Sequence, residues 1–322
     1  PVSASGPLAN LLAVPWVSLT VPFALLGTLL LPLAGVGEAL LSVVGYSLAL
    51  LFDVLAAIAN WQPAWIAVGL PVWALALIGL GVLLLLLPAG IPLRSLGLLL
   101  LLPLVFPPRV EVPDGRAQVW VLDVGQGLAV LVRTREHALL YDAGPKQGDF
   151  DTGERVVVPS LRTLGVTRLD LLLLSHADND HSGGADAVQR LLRVDRVVSG
   201  EPSRLAPDLG AEHCESGRSW QWNNVRFSLW QWQMARDSNQ QSCVLQIEAN
   251  GERILLTGDI DQAAERAWLA SEQRTPSHWL LMPHHGSRSS SSEPFLRGVA
   301  SHAALISRSL HNAFGHPHPS VI

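Results

Sequence analysis

The stretch "LLLLSHADNDHSGG", residues 171–184, sets four leucines directly against a knot in which two histidines and two aspartates share six residues. Carboxylates and imidazoles this crowded repel one another or titrate unless a cation sits among them. The leucine run has strand length, which places the polar knot on the loop that follows a buried strand. An Asx-rich turn leading into a glycine pair and a helix is the competing account, but an ordinary turn needs neither histidine. His176, Asp178, Asp180 and His181 are therefore candidate ligands. Alternate residues of the loop can face one way and the adjacent Asp180–His181 pair another, which could serve two neighbouring ions.

Two later stretches repeat the pattern. "LLTGD" puts Asp259 after a buried strand and a glycine, where a carboxylate could bridge two cations. The competing role is the N-cap of the helix in "DIDQAAERAWLA", which Asp261 can fill instead. "LLMPHHGS" opens an apolar strand onto His284 and His285.

Around these motifs, apolar runs of strand length recur: "AQVWVLDV", "LAVLVRT", "HALLYDA", "LDLLLLS", "VRFSLWQW", "SCVLQIEA", "ERILLTGD", "HWLLMP" and "AALIS". Helical stretches fall at 154–164, 184–193, 261–271 and 293–300. Asn250-Gly251 is a two-residue hairpin signal, because both residues tolerate positive φ. Early hairpins followed by alternating strands and helices predict a sheet sandwich with helices on its outer faces. Loops at strand ends converge on one edge of such a sandwich, so ligands distant in sequence can share a site.

The amino-terminal third has a different composition. The chain of 322 residues is 49% hydrophobic and 15% charged, too apolar for one ordinary soluble domain. From Pro1 to Pro108 the charged side chains are Glu38, Asp53 and Arg94 alone. Of the 22 basic and 27 acidic residues, 21 and 25 therefore lie beyond, a net charge of −4. That balance excludes a bulk nucleic-acid binder; contact with DNA would need a local strip or metal ions offsetting phosphate charge.

Crossing about 30 Å of hydrocarbon takes about 20 apolar residues, and windows 10–32, 37–60 and 63–88 reach or approach that length, with a shorter one at 91–106. Trp16, Trp61 and Trp65 are read as window ends at the headgroup level; Trp73 is not. The alternative, a buried helical bundle, lacks charges to cover its outside. The expected domains are transmembrane helices over 1–108 and a soluble body over 109–322, with the boundary near "FPPRVEVPDG". Asp53 could be a functional carboxylate within the membrane, lie beside a span end or face a neighbouring helix. Arg94, Arg109 and Arg116 are too few to fix the orientation. Pro stands first and no basic region precedes the apolar stretch, so no signal peptide is expected, and the chain reads as a fragment of something longer. Cys214 and Cys243 are either free thiols or, if the body faces an oxidising compartment, a disulfide.

At this point the residues carry a resemblance. The body looks like the metallo-β-lactamase superfamily, and "LDVGQG", "LLYDAG", "HADNDH", "SCVL", "LLTGD", "HHGS" and "GHPHP", in this order, resemble the ComEC-type DNA internalisation proteins of natural competence. "NLLAVPWVSLTVPFALL" resembles the end of that family's membrane-embedded competence domain. The resemblance implies transmembrane α-helices followed by an α/β αββα sandwich. It also implies a DNA-uptake component whose body is a metal-dependent nuclease degrading the strand that is not imported.

Carried over by motif, His176 and Asp178 would belong to one metal position and Asp180 and His181 to the other, with Asp259 bridging. His285 rather than His284 would join the second, since it precedes Gly286 as in the superfamily's late "HG". Asp142 and Asp123 would orient ligands by hydrogen bonds. One or two divalent ions, Mn or Zn, would lower the pKa of water from about 15.7 towards about 7. By the same resemblance Asp180 would receive or relay a proton, Asp259 would bridge, and His316 or His318 could touch the scissile phosphate or leaving group; a proline-stiffened turn is the other reading of "GHPHP". Single-stranded DNA, the lipid membrane, a DNA receptor and an uptake motor are the implied partners. The implied location is the bacterial inner membrane, multi-pass, with the body on the periplasmic face.

The sequence departs from the superfamily where Asp178 replaces the second histidine of H-x-H-x-D-H, and where no middle histidine stands between His181 and Asp259 except His213. Asn239 or Ser242 occupies that region. Tighter binding is therefore expected at Asp180, His181, Asp259 and His285, with a taste for Mn²⁺ alongside Zn²⁺. Two rivals remain: a metallo-hydrolase of a small ester or lactam, which has no need of the membrane segment, and a DNA conduit whose body has lost catalysis.

Overall fold

The computed structural model of the chain describes residues 5–33, 35–60, 70–88, 90, 91, 93–106 and 111–322. Contacts divide the chain into two compact units, Pro1–Val68 and Gly69–Ile322. The first holds helices α1 (Ser5–Leu29) and α2 (Val36–Asn60). Leu8–Leu29 and Val36–Ile58 are long and apolar enough to cross a membrane. Their large side chains stay exposed (Leu11 71%, Leu25 67%, Phe52 68%), which suits a hydrocarbon solvent and not water.

Trp16 does not mark the end of a span. It lies near the middle of α1, where its indole N–H donates to Ser47 Oγ of α2 at 2.9 Å. An N–H at membrane depth needs such a partner. Asp53 is exposed on α2, inside the apolar stretch. The third apolar window is described over α3 (Val72–Leu86), a helix of 15 residues, and the fourth over α4 (Leu96–Leu100) with a further turn at Leu102–Val105. Trp61, Trp65 and Arg109 lie outside the described residues.

The rest of the second unit is built on two six-stranded sheets. The first contains β1 (Gln118–Val121), β2 (Val130–Arg133), β3 (Ala138–Tyr141), β4 (Leu171–Leu174), β5 (Val197–Ser199) and β6 (Glu212–His213), in that spatial order. β1 to β3 are antiparallel; β4 joins β3 in parallel, as do β5 and β6 after it. The second contains β7 (Ser219–Trp222), β8 (Val225–Trp230), β9 (Val244–Ala249), β10 (Glu252–Leu256), β11 (Trp279–Leu281) and β12 (Ala303–Leu305). It is antiparallel through β10 and parallel beyond. Asn250 and Gly251, at φ 50° and 82°, make the turn between β9 and β10.

Side-chain alternation explains the four leucines. Leu172 and Leu174 point to the outer face of the first sheet, against Val158 and Leu161 of α5 (Val158–Thr163) and Val188 of α6 (Ala185–Leu191). Leu171 and Leu173 point between the sheets, with Tyr141, Phe227, Leu245 and Leu256. A strand covered on both faces has no polar side, so it reads as a continuous apolar run. The outer face of the second sheet is covered by Trp268 of α7 (Gln262–Leu269) and by Phe295 and Val299 of α8 (Glu293–Val299), packed on Leu255 and Leu280. The result is an αββα sandwich. Each fully buried leucine contributes roughly 1.5–3 kcal/mol, and truncating Leu173 between the sheets would cost about 2–5 kcal/mol.

Candidate metal centre

The chemistry gathers where strands of both sheets end. β4 runs into Ser175, His176 and Asp178, then a helical turn, Asn179–Ser182, which carries Asp180 and His181. β10 ends in Thr257-Gly258-Asp259. Gly258 is at φ 55°, and a Cβ there would stand 2.7 Å from the Cβ of Ser175, so the two sheets approach at a residue without a side chain. Asp261 accepts from the backbone N–H groups of Ala263 and Ala264, both at 2.9 Å, and so caps α7. That leaves the Asp259 carboxylate free of the helix end.

β11 leads into Pro283–Gly286, where His284 and His285 both adopt left-handed backbone, φ 51° and 54°. Non-glycine residues hold that conformation at a cost of order 1–3 kcal/mol, and it persists where the surroundings over-determine it. Gly286, at φ 77°, lets Pro317 pack so close that a Cβ would lie 2.7 Å from the proline's own. This brings the "GHPHP" segment onto the histidine pair.

Asp180, His181, Asp259 and His285 each present one ligand atom, all within 4.8 Å of one another. His181 Nε2 is 3.1 Å from Asp259 Oδ1 and 3.9 Å from Asp180 Oδ2. His285 Nε2 is 3.4 Å from Asp180 Oδ2 and 3.7 Å from Asp259 Oδ2. His176 and Asp178 form an adjoining pair, Nε2 to Oδ2 3.6 Å. His284 Nε2 also lies 3.7 Å from Asp259 Oδ2, while its Nδ1 faces Ser289 Oγ at 3.3 Å and Asn239 Nδ2 at 3.5 Å.

The other ring nitrogens are committed. His285 Nδ1 donates to the Ser307 carbonyl at 2.8 Å, and a carbonyl only accepts, so the proton is on Nδ1. His181 Nδ1 is 2.8 Å from Asp142 Oδ2. Asp142, fully buried at φ 61°, also accepts from Ser175 N–H (2.6 Å) and Ser175 Oγ (2.8 Å). Having donated to Asp142, Ser175 Oγ can accept from His176 Nδ1 at 3.0 Å. All three imidazoles thus turn Nε2 inward, and His176, His181 and His285 Nε2 are buried with no hydrogen bond of acceptable geometry among the described residues.

Buried polar atoms without partners are rare, and imidazole nitrogens facing two carboxylates are a donor set that Zn²⁺ or Mn²⁺ accepts. The residues fit a divalent ion. Burial opposes charge on His181, yet the Asp259 and Asp142 carboxylates hold its pKa well above the usual histidine value. Asp259 is held well below the carboxylate range by His181 and His285, against the effect of burial. Without a cation these groups neutralise one another by sharing protons; a cation replaces those protons.

Asp123 is exposed and accepts from Gly125 N–H at 3.2 Å. Ser242 accepts from Asp259 N–H at 3.1 Å and lies 3.5 Å from His176 Nδ1. His316 has its ring 5.7 Å from that of His284 and 6.4 Å from that of His285, with Nδ1 buried and without a partner among the described residues. Burial, with His284 and His285 nearby, lowers its pKa and keeps it neutral. His318 Nδ1 is taken by Ser320 Oγ at 2.7 Å. Ser175 had no mark in the sequence beyond standing at the strand end. Cys214, after β6, and Cys243, before β9, form a disulfide between the sheets with Cα atoms 6.0 Å apart.

Residues 122–309 match the family model described as metallo-beta-lactamase superfamily, and residues 1–91 that described as competence protein. The chain is 38% identical over 320 residues, 98% of its length and 44% of the other, to the competence protein ComA of Neisseria gonorrhoeae. Recombination protein 2 of Haemophilus influenzae is 33% identical over 210 residues, 64% of this chain and 26% of that one. The chain spans less than half the length of these curated relatives. Among solved structures, the metallo-beta-lactamase fold protein YhfI of Bacillus subtilis aligns at a TM-score of 0.41 and 10% identity, over 61% of this chain and 89% of that one.

Proposed function

Because the chain belongs to the metallo-β-lactamase superfamily and is a ComEC-type competence protein, we propose that it is a membrane component of DNA uptake whose body, residues 109–322, is a metal-dependent nuclease hydrolysing phosphodiesters of the non-imported strand. Residues 1–108 are its membrane part, multi-pass in the inner membrane. The observation that carries the reading is the convergence of Asp180, His181, Asp259 and His285 within 4.8 Å around unpartnered imidazole nitrogens.

Asp180, His181, Asp259 and His285 would hold one ion, and His176 and Asp178 the other, with Asp259 serving both; Mn²⁺ would serve alongside Zn²⁺. When bound, the ions supply Lewis acidity towards a phosphoryl oxygen and lower the pKa of water. Asp142 and Ser307 hold the imidazoles of His181 and His285 in one tautomer, so that Nε2 faces the substrate side throughout. Asp180, 35% exposed, sits at the mouth of the cluster, where its carboxylate takes a proton from the attacking water. His316, neutral and adjacent, is placed to hydrogen-bond the scissile phosphate through its ring N–H, and the departing oxygen takes its proton from solvent.

Single-stranded DNA is the substrate, and a DNA receptor and uptake motor are the partners. The disulfide supports an oxidising compartment, hence a periplasmic body. The test is cleavage of single-stranded DNA by the purified chain with Mn²⁺, Zn²⁺ or chelator. Cleavage that needs metal and falls at least about 1000-fold in Asp180→Ala is expected, roughly 4 kcal/mol of barrier. Cleavage that survives chelation, or hydrolysis of esters or lactams with DNA left intact, overturns the reading.

A further inference from the structure

Glu201 is a buried carboxylate, 3% exposed, that the chemistry above does not use. It follows β5 at the edge of the candidate centre. Burying a carboxylate costs several kcal/mol unless its oxygens are paired and hydrogen-bonded, so the contacts that satisfy it show what it is for. Oε2 accepts from Ala177 N–H at 3.0 Å, one residue before Asp178. Both oxygens accept from Arg204 Nη1 at 3.0 Å. The same Nη1 donates to Ser238 Oγ at 2.6 Å. The single hydroxyl proton of Ser238 lies between Glu201 Oε2 and Asp178 Oδ1, the latter at 2.9 Å. Arg204 Nη2 adds a longer contact of 3.4 Å to Asp178 Oδ1.

The two oxygens of Asp178 are therefore divided. Oδ1 is held from outside the centre by Ser238 and Arg204. Oδ2 is left facing His176 Nε2 at 3.6 Å. Asp178 is also the residue most in need of such a hold: it is 39% exposed, and an aspartate left to solvent there would sample several rotamers.

We propose that Glu201, through Ser238 and Arg204, is a positioning residue that clamps Asp178 with Oδ2 turned inward as a ligand of the looser metal position. The inference rests on the two-position reading above. Outer partners of this kind typically govern metal affinity by 10–100-fold.

The experiment is a calorimetric titration of Mn²⁺ into the chelator-stripped full chain, with bound ions counted by electron paramagnetic resonance. Wild type should take up two ions in separable steps. Glu201→Gln and Ser238→Ala should weaken the looser step about 10–100-fold and leave the tighter step unchanged, and Ser238→Thr, which keeps the hydroxyl, should restore it. Should Glu201→Gln fail to fold, the Ser238 pair reads the same clamp. A single step in wild type, an unaltered looser step in both variants, or equal weakening of both steps overturns the proposal. No DNA enters this titration, so a failed cleavage assay defeats the nuclease reading without touching it. Conversely, intact metal-dependent cleavage beside an unaltered looser step defeats the clamp alone.

Discussion

Asp142 is buried, left-handed in backbone, and shared between Ser175 and His181. Asp142→Asn can keep the shape but offers an amide where His181 Nδ1 needs a carboxylate, so the metal affinity of the four-residue cluster should fall about 10–100-fold in a titration against a chelating dye. Asp170 tests charge away from the centre. Burial would raise its pKa, but the N–H of Ala138, Arg168 and His137 together lower it. A carboxylate whose folded pKa is depressed adds stability above its unfolded pKa and loses it as pH falls through the folded value. Wild type should therefore exceed Asp170→Asn in urea-unfolding free energy by roughly 1.5–3 kcal/mol at neutral pH, and the gap should close as the pH drops below the ordinary carboxylate range. The ligand candidates were legible because histidines beside aspartates after an apolar run have few other uses. Glu201, Arg204 and Ser238 were not: each is an unremarkable polar residue in sequence, and only the fold brings them onto Asp178.

At the level of elements, the strands that showed in the sequence are those with a sustained apolar run, whether fully covered, as in β3 and β4, or largely exposed, as in β12. β5, only three residues long, and β7, whose "SWQW" has a half-buried pattern, were not predicted. Their pairing is set by neighbours in the sheet, and short strands carry too few residues to declare a period. The helix expected over 154–164 opens as a π-turn, Gly153–Val157, before α5. A Cβ on Gly153 would lie 2.2 Å from the Gly184 carbonyl, so this element is shaped by the glycine pair behind the ligand loop. The disulfide was one of two readings of the cysteines. It closes a loop of 29 residues, for which the chain-entropy model gives about 3.5 kcal/mol. Cys214→Ser should lose a comparable amount in oxidising buffer and almost nothing under reductant, measured by denaturant unfolding.

For the whole molecule, composition separated an apolar third from a charged remainder before any element was placed. The side of the membrane was not legible, because three arginines are too weak a bias. An alkaline phosphatase fused after Ile322 should be active in cells if the body is periplasmic; a cytoplasmic reporter active in its place would reverse the orientation. The two sheets contribute equally to the four-residue cluster, Asp180 and His181 from the first and Asp259 and His285 from the second. An ion seated there is therefore a rivet through the seam of the sandwich. Folding energy and metal supply become linked, and an ion at 100 times its dissociation constant adds about 2.7 kcal/mol against the sheets parting. Starvation for metal would then loosen the body at its seam.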